Sequence, residues 1–406
     1  MKNIDLPLII TTLILILFGL FVLHSAQPES GSGEGRIFLR QILWLFPALL
    51  AGTLAFLIPY RTINTLAYLF FGISIILLLI PLFSSSTTPA LTRRWINLGP
   101  LQFQPSEFAK VACILALARM ISHSQFSRGS LKNLLLPMGI VLLPTGLVLM
   151  EPDLGTSFIF FFLLLAILFY RKIPPFSLLF LVSPLVSLLS AFHWVSWTLF
   201  ILLFLFLLYL FSKYHPFSFQ QGLLLLVLNC GIGIATPLLW GTLKEYQKKR
   251  ILTFLNPGLD PLGAGWHTLQ SKIAIGSGGI FGTGYGQGSQ KNLAFLPEQH
   301  TDFVYSVIGE ELGLIGCAFL LLLFFLLIWR GLKLASESKN LTKSLAAVGL
   351  SSIFIYQVFV NMGMAIGLVP VAGLPLPFIS YGGSSLVTST IAVGLLLNIR
   401  KTKYEY

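Results

Sequence analysis

The chain has 406 residues, of which 55% are hydrophobic and only 10% are charged, and its mean hydropathy is +0.86. This composition excludes a soluble globular fold and is typical of an integral membrane protein. The formal charge of +12 does not indicate a nucleic-acid partner, because no basic stripe interleaved with aromatic residues accompanies it.

Apolar runs long enough to cross a hydrocarbon core about 30 Å thick recur along the whole chain. They predict an all-α fold, a polytopic integral membrane protein with about 10–12 transmembrane helices in a single domain over residues 1–406. The predicted spans are residues 6–25, 38–58, 62–83, 105–122, 131–151, 155–170, 175–193, 196–213, 219–241, 303–329, 344–369 and 380–399. The first run is too long for the apolar part of a signal peptide, so we interpret it as a spanning helix.

If these spans alternate in direction, most of the cations fall on one side of the membrane. They are Arg61, Arg119, Arg128, Lys132, Arg171, Lys172, Lys213, the basic residues of 330–343, Arg400, Lys401 and Lys403. Short cytoplasmic loops carry an excess of Lys and Arg, so this side is predicted to be cytoplasmic, with both termini inside.

Two larger loops, near residues 84–104 and 242–302, are then predicted to lie outside. Both carry cations, namely Arg93, Arg94, Lys244, Lys248, Lys249, Arg250, Lys272 and Lys291. Cations on this side favour an anionic ligand such as a phosphate. The alternative is that long loops cross the membrane whatever their charge.

The first outer loop leads into the sequence RRWINLGPLQFQPSEFAK. Pro105 and Glu107 suit the first turn of a helix, and Glu107 and Lys110 are spaced to share one helical face. An ammonium one turn inside a membrane helix needs a partner or a polar cavity. Further along, Glu151 and Asp153 flank Pro152 at an outer turn, where they could simply form the turn, pair with Arg94 or Lys110, or hold a divalent ion.

Two glycine-rich segments interrupt the apolar pattern. Residues 275–290, IGSGGIFGTGYGQGSQ, match no nucleotide-binding motif, and they predict either a close approach to a ligand or a loop packed against the helices. Residues 361–385 contain several Gly and Pro residues within an apolar stretch, which predicts either a broken helix at a substrate site or close helix packing.

Residues 296–313, LPEQHTDFVYSVIGEELG, place Glu298, His300, Asp302 and the Glu310/Glu311 pair at the start of a long apolar run. Asp302 could cap the following helix or act chemically. Glu310 is eight residues further on, a rise of about 12 Å, which is too far for an acid–base pair of the glycosidase type.

Together, the segments RRWINLGPLQFQPSEFAK, EPDLGTS, QSKIAIGSGGIFGTGYGQG, LPEQHTDF and VPVAGLPLPFISYGGSS resemble the SEDS family of bacterial cell-wall proteins, in family order over most of the chain. The short termini and the segment LPLPFISYGGSS are closer to the elongation (RodA) branch than to the division (FtsW) branch. The family usually has ten spans, so the helix pair near residues 175–213 is predicted to be an addition.

The resemblance implies a peptidoglycan glycosyltransferase that polymerises lipid II in the cytoplasmic membrane beside a class B penicillin-binding protein, which supplies the transpeptidase. Asp302 matches the catalytic aspartate of the HTDF motif. The residues that match substrate-binding or cavity positions are Arg40, Arg94, Trp95, Glu107, Lys110, Asp153 and Lys272. A divalent cation, Mg²⁺ or Mn²⁺, is implied as a cofactor, and no nucleic acid is expected.

We expect Asp302 to act as general base on an acceptor sugar hydroxyl, while cations hold the pyrophosphate leaving group. The competing hypothesis is a lipid II flippase, which would use the same cations and broken helices to move the head group across the membrane. A scaffold that only activates its transpeptidase partner is disfavoured, because it gains nothing from burying charged residues.

Overall fold

The fold comes from a computed structural model that describes residues 5–26, 36–83, 94–98, 101–122, 132–214, 219–242, 248, 252–253, 264–289 and 300–402. The helices are α1 (Leu6–Ser25), α2 (Arg36–Leu57), α3 (Tyr60–Thr65), α4 (Ala67–Phe83), α5 (Pro105–Ser122), α6 (Lys132–Met150), α7 (Leu154–Tyr170), α8 (Pro175–Ser190), α9 (Trp194–Tyr214), α10 (Phe219–Thr242), α11 (Ala264–Ser277), α12 (Val304–Glu337), α13 (Leu341–Ala365) and α14 (Gly383–Lys401). An antiparallel pair of strands, β1 (Ile96–Leu98) and β2 (Leu101–Phe103), precedes α5, with Ile96 opposite Phe103.

The predicted spans correspond closely to these helices. The span predicted at 62–83 is divided between α3 and α4, and α12 continues beyond the predicted residue 329 to Glu337. Among the residues that the structure describes, eight helices are long and apolar enough to cross a membrane, and three shorter apolar helices accompany them. The all-α, polytopic membrane fold is therefore confirmed. Helix α11 and the two strands were not predicted.

The helices run between two ends of the bundle, which polar contacts identify. At one end, which we call the lower end, Asp5 below α1 pairs with Arg330 of α12, and Glu337 pairs with Arg400 of α14. At the other, which we call the upper end, the Ser25 hydroxyl donates to Glu311. Helices α2, α5, α7, α12 and α14 all begin at the upper end, so the positive ends of their dipoles lie there.

Helices α13 and α14 form the centre of the bundle, whereas α8, α9 and α10 lie at its edge. In the most apolar window of each helix, 83% of the residues of α13 but only 6% of those of α9 are buried. Helix α9 packs on α8 and α10 around a small core of Phe204, Leu208 and Leu225. The 175–213 segment is thus two separate helices, as the sequence predicts.

The glycine-rich run beginning at residue 275 packs against α12, which confirms the second of its two interpretations. A Cβ atom on Gly278 would lie 1.9 Å from the Gly309 carbonyl oxygen, and one on Gly282 would lie 2.1 Å from that of Glu311. Only glycine permits backbones to approach this closely.

Candidate active site

Asp302 lies in the turn 300–303 that leads into α12 at the upper end. Its side chain is partly buried. The N-cap residue of α12 is Phe303, whose side chain makes no capping hydrogen bond, so the prediction that Asp302 is the N-cap residue is wrong. The physical reason is that the turn is held by other parts of the chain rather than by the helix itself.

The irregular segment 366–382, between α13 and α14, holds this turn in place. The Asn361 amide at the end of α13 donates to the Asp302 carbonyl at 3.0 Å and to a carbonyl of the segment at 2.7 Å. The Ser380 hydroxyl donates to the Thr301 carbonyl at 2.5 Å. The backbone that carries the Asp302 carboxylate is therefore fixed from two sides.

The same segment brings Lys272 and Asp302 to its two glycine turns. A Cβ atom on Gly373 would lie 3.5 Å from Asp302 Oδ2, and one on Gly367 would lie 2.5 Å from Lys272 Nζ. Both glycines have positive φ, 65° and 76°. The broken helix predicted at 361–385 is thus present, and it lies against both residues.

Arg94 is bound to the turn between α6 and α7. Its Nη1 lies 3.5 Å from Asp153 Oδ2, its Nε donates to the Glu151 carbonyl at 3.0 Å, and its Nη2 donates to the Pro152 carbonyl. Asp153 also caps α7 by accepting from the Thr156 amide at 3.1 Å. Of the alternatives open from the sequence, the pairing of Asp153 with Arg94 is therefore observed.

This turn reaches the Asp302 region through the irregular segment. A Cβ atom on Gly155, in the first turn of α7, would lie 2.5 Å from the carbonyl oxygen of Ala372. Ala372 is the neighbour of Gly373, which lies against Asp302. The Arg94–Asp153 pair and Asp302 thus flank the same stretch of backbone.

Glu151, the other carboxyl that the sequence places in this turn, is buried. It is only 1% exposed, and neither of its carboxyl oxygens has a hydrogen-bond partner among the described residues. Burial and the nearby Asp153 carboxylate raise the pKa of Glu151 to about 8, and the Arg94 guanidinium offsets part of the increase. The raised pKa therefore favours the protonated form of Glu151 at neutral pH.

Glu107 and Lys110 form a buried ion pair in the first turns of α5. Lys110 Nζ lies 2.7 Å from Glu107 Oε1, and the side chains are 0% and 2% exposed, respectively. The backbone just before this helix is tied to α14, because the Gln104 amide donates to the Ser384 hydroxyl at 2.9 Å. The helical spacing predicted this pair. The partner of Lys110 is thus Glu107 rather than Glu151 or Asp153 in the turn before α7.

Arg40 and Trp95 complete the predicted set. Arg40 is exposed near the upper end of α2, and Trp95 is partly buried just before β1. Gln41, next to Arg40, accepts from the Gly382 amide at 3.2 Å, so α2 is joined to the irregular segment as well. Glu298 lies outside the described residues.

The chain is similar to known proteins both in sequence and in fold. The family model FTSW_RODA_SPOVE, described as "Cell cycle protein", matches residues 6–200 and 196–405. The chain is similar to "Peptidoglycan glycosyltransferase MrdB" of Escherichia coli, with 36% identity over 391 residues that cover 96% of this chain and 92% of that protein. It is also similar to "Stage V sporulation protein E" of Bacillus subtilis, with 34% identity over 405 residues that cover 98% and 97%.

The fold is similar to that of a chain in a solved structure named "Structural coordination of polymerization and crosslinking by a peptidoglycan synthase complex". The TM-score is 0.73, the sequence identity is 29%, and all of both chains is covered.

Proposed function

The chain belongs to the FtsW, RodA and SpoVE family of cell cycle proteins and is a multi-pass membrane peptidoglycan glycosyltransferase, and we propose that it polymerises lipid II with Asp302 as the general base. The observation that carries the proposal is the fixed turn at Asp302. A general base must be held within hydrogen-bond reach of the proton it accepts, and Asn361 and Ser380 restrain the backbone of this turn.

The proposed reaction is a displacement at the anomeric carbon of the lipid-linked donor sugar. The acceptor hydroxyl gives its proton to Asp302 as its oxygen bonds to that carbon. The bond from the carbon to the pyrophosphate oxygen breaks on the opposite face, so the configuration inverts and the lipid pyrophosphate leaves with the electron pair. The charge that develops on the leaving group needs cations and oriented dipoles.

Two of the predicted cations are already engaged by the protein, and two are available. Lys110 is paired with Glu107, and Arg94 is bound to the turn that carries Asp153. Arg40 and Lys272 are exposed, and neither forms an ion pair with the described part of the chain. We therefore assign the pyrophosphate mainly to Arg40 and Lys272, and a positioning role to Arg94 and Lys110. The helix N-termini at the upper end add favourable dipoles.

A divalent cation, Mg²⁺ or Mn²⁺, is proposed to bind together with the substrate. Among the described residues, no group of three or more His, Cys, Asp and Glu side chains could hold a metal ion, and Asp153 and Glu107 are paired with cations. Mg²⁺ often binds through substrate phosphates and water with few protein ligands, so the pyrophosphate would supply most of its ligands. When bound, it would neutralise charge on the leaving group.

The proposed orientation puts the upper end on the outer face of the cytoplasmic membrane. It rests on the excess of Lys and Arg in the loops of the lower end and puts both termini in the cytoplasm. We further propose a role in cell elongation and a class B penicillin-binding protein as partner. Similarity to a chain of a complex named for both polymerization and crosslinking supports such a partner.

The name of the Escherichia coli relative, a peptidoglycan glycosyltransferase, favours the enzyme over the flippase hypothesis. A gel assay of glycan strands made from fluorescent lipid II by the purified chain in nanodiscs, with and without the transpeptidase partner, tests the proposal. Asp302→Ala should lower polymer formation by at least about 100-fold, the usual contribution of a general base. Glu337→Gln, which changes a carboxylate at the lower end, is the matched control. Polymer formation by Asp302→Ala at the control's rate would refute the assignment.

A further inference from the structure

Helix α11 and the glycine-rich loop after it, residues 264–289, form a segment that enters the bundle from the upper end and returns. Helix α11 runs in the same direction as the first part of α12. The Ser271 and Ser306 hydroxyls are 2.6 Å apart, and a Cβ atom on Gly309 would lie 2.9 Å from Cγ1 of Ile275. With only 14 residues, about 21 Å, α11 is too short to cross the membrane.

The segment turns back at a break in α12. Gly313 has φ 63° and ψ −159°, which interrupts the helical hydrogen bonds. The turn supplies the missing acceptors, because the Leu314 amide donates to the Gly279 carbonyl at 3.0 Å and the Ile315 amide donates to the Ile280 carbonyl at 3.2 Å.

Residues 282–289, which lead back from the turn and which we call the returning strand, donate hydrogen bonds to the carbonyls that the break in α12 leaves unpaired. The Thr283 amide donates to the Glu310 carbonyl at 2.9 Å, and the Gly284 amide donates to the Glu311 carbonyl at 3.1 Å. Non-helical backbone survives at membrane depth only when its polar groups are satisfied by protein. The loop and the broken helix satisfy each other in this way.

The depth of the turn follows from α1. This helix has 20 residues, a length of about 30 Å, so it just spans the hydrocarbon core. The Ser25 hydroxyl at its upper end bonds to Glu311 at 2.5 Å. Ile315 lies one helical turn, about 6 Å, further along α12 than Glu311. Because the Ile315 amide bonds to the Ile280 carbonyl, the tip of the loop at Ile280 lies about 6 Å below the upper end of α1.

Tyr285 on the returning strand gives a second measure of depth. Its ring stacks on Phe21 of α1 with centroids 4.4 Å apart, and its hydroxyl lies 2.8 Å from His24 Nδ1. A tyrosine with an apolar face and a hydrogen-bonded hydroxyl is typical of the membrane–water boundary.

Two large apolar side chains stand exposed at the tip. Phe281 is 81% exposed and Ile280 is 59% exposed. The neighbouring Leu314 and Ile315 of the spanning helix are 63% and 54% exposed, so the tip continues an apolar surface that faces the lipid. We propose that residues 264–289 form a re-entrant segment whose tip, Ile280 and Phe281, lies in the hydrocarbon of one membrane leaflet.

This inference goes beyond the proposed function and does not depend on the role of Asp302. It assigns the tip a ligand class, the acyl chains of membrane lipid. It also gives α11 a fixed depth, and α11 carries Lys272. The segment therefore holds Lys272 at a constant height relative to the membrane surface.

Collision measurements with a nitroxide spin label test the proposal in the full chain reconstituted in lipid vesicles. The label is attached at Phe281→Cys, with Gln287→Cys on the exposed returning strand as the matched control. In both proteins, alanine replaces the native cysteines, which are Cys113, Cys230 and Cys317. Oxygen is concentrated in the hydrocarbon, whereas a nickel chelate is confined to water.

The label at position 281 should collide more with oxygen than with the nickel chelate, and the label at position 287 should show the reverse. Equal nickel accessibility at both positions would place the tip in water and overturn the proposal. Low accessibility to both reagents at position 281 would mean that a second copy of the chain covers the tip, and would overturn it as well. Ile280→Cys repeats the measurement, so a folding defect in one variant does not prevent the test.

Discussion

Replacing Lys110 by methionine should destabilise the protein strongly, because it leaves the buried carboxylate of Glu107 without its cation. Lys110 Nζ lies 2.7 Å from Glu107 Oε1, and both side chains are almost fully buried. Removing one partner of such a pair costs about 3–5 kcal/mol.

The exposed pair of Arg400 and Glu337 is the matched control. Its N–O distance is also 2.7 Å, but its side chains are 28% and 29% exposed. Arg400→Met should therefore cost no more than about 1 kcal/mol. The measured quantity is the free energy of unfolding in detergent micelles, obtained by denaturant titration at pH 7.

The double variant Glu107→Gln/Lys110→Met removes both charges and should recover most of the lost stability. The reasoning is refuted if Lys110→Met is no less stable than Arg400→Met, or if the double variant is no more stable than Lys110→Met.

Three further predictions follow from the site and the re-entrant segment. Native Glu151, with its pKa raised to about 8, keeps a proton that the unfolded chain releases above an ordinary carboxyl pKa of about 4.3, so stability should fall as the pH rises between these values. Glu151→Gln removes this pH dependence, so the melting temperature of the variant minus that of wild type should increase from about pH 5 to about pH 8. A difference that stays constant over this range would contradict the raised pKa. Gly282→Ala should lower the free energy of unfolding by about 2 kcal/mol or more in thermal unfolding, because Gly282 has φ 82° and its added Cβ would lie 2.1 Å from the Glu311 carbonyl oxygen. Gly72→Ala is the control and should cost nothing, because no atom lies within 4 Å of its added Cβ. Lys272→Met should weaken lipid II binding in nanodiscs by about 10-fold or more, because one charge-assisted hydrogen bond is lost. Arg61→Met, at the lower end, is the control. Equal affinities of the two variants for lipid II would exclude the role assigned to Lys272.

Much of the fold could be predicted from the sequence, because membrane spans are set by the length of apolar runs. The Glu107–Lys110 pair was also predictable, since helical residues three apart share a face. The Arg94–Asp153 pair was one of several open alternatives, because pairing between distant loops depends on how helices α6 and α7 meet the outer loop.

Other features depend on tertiary contacts that leave little periodic signal. Helix α11 is short and leads directly into the glycine-rich run at residues 275–290, so its few apolar residues did not indicate a helix. The strands β1 and β2 flank Gly99 and Pro100, a turn signal that could have identified them. The restraints from Asn361 and Ser380 arise only when the segment 366–382 folds against its neighbours. The same contacts explain why the cap predicted at Asp302 was wrong.

The central claim is that Asp302 performs the chemical step rather than binding the substrate. Its most direct test measures lipid II affinity and the rate of polymer formation on one preparation of Asp302→Asn, which keeps the size of the side chain but cannot accept the proton. We expect an affinity within a few-fold of wild type and a rate lower by at least about 100-fold. A wild-type rate, or a loss of rate explained entirely by weaker binding, would contradict the account.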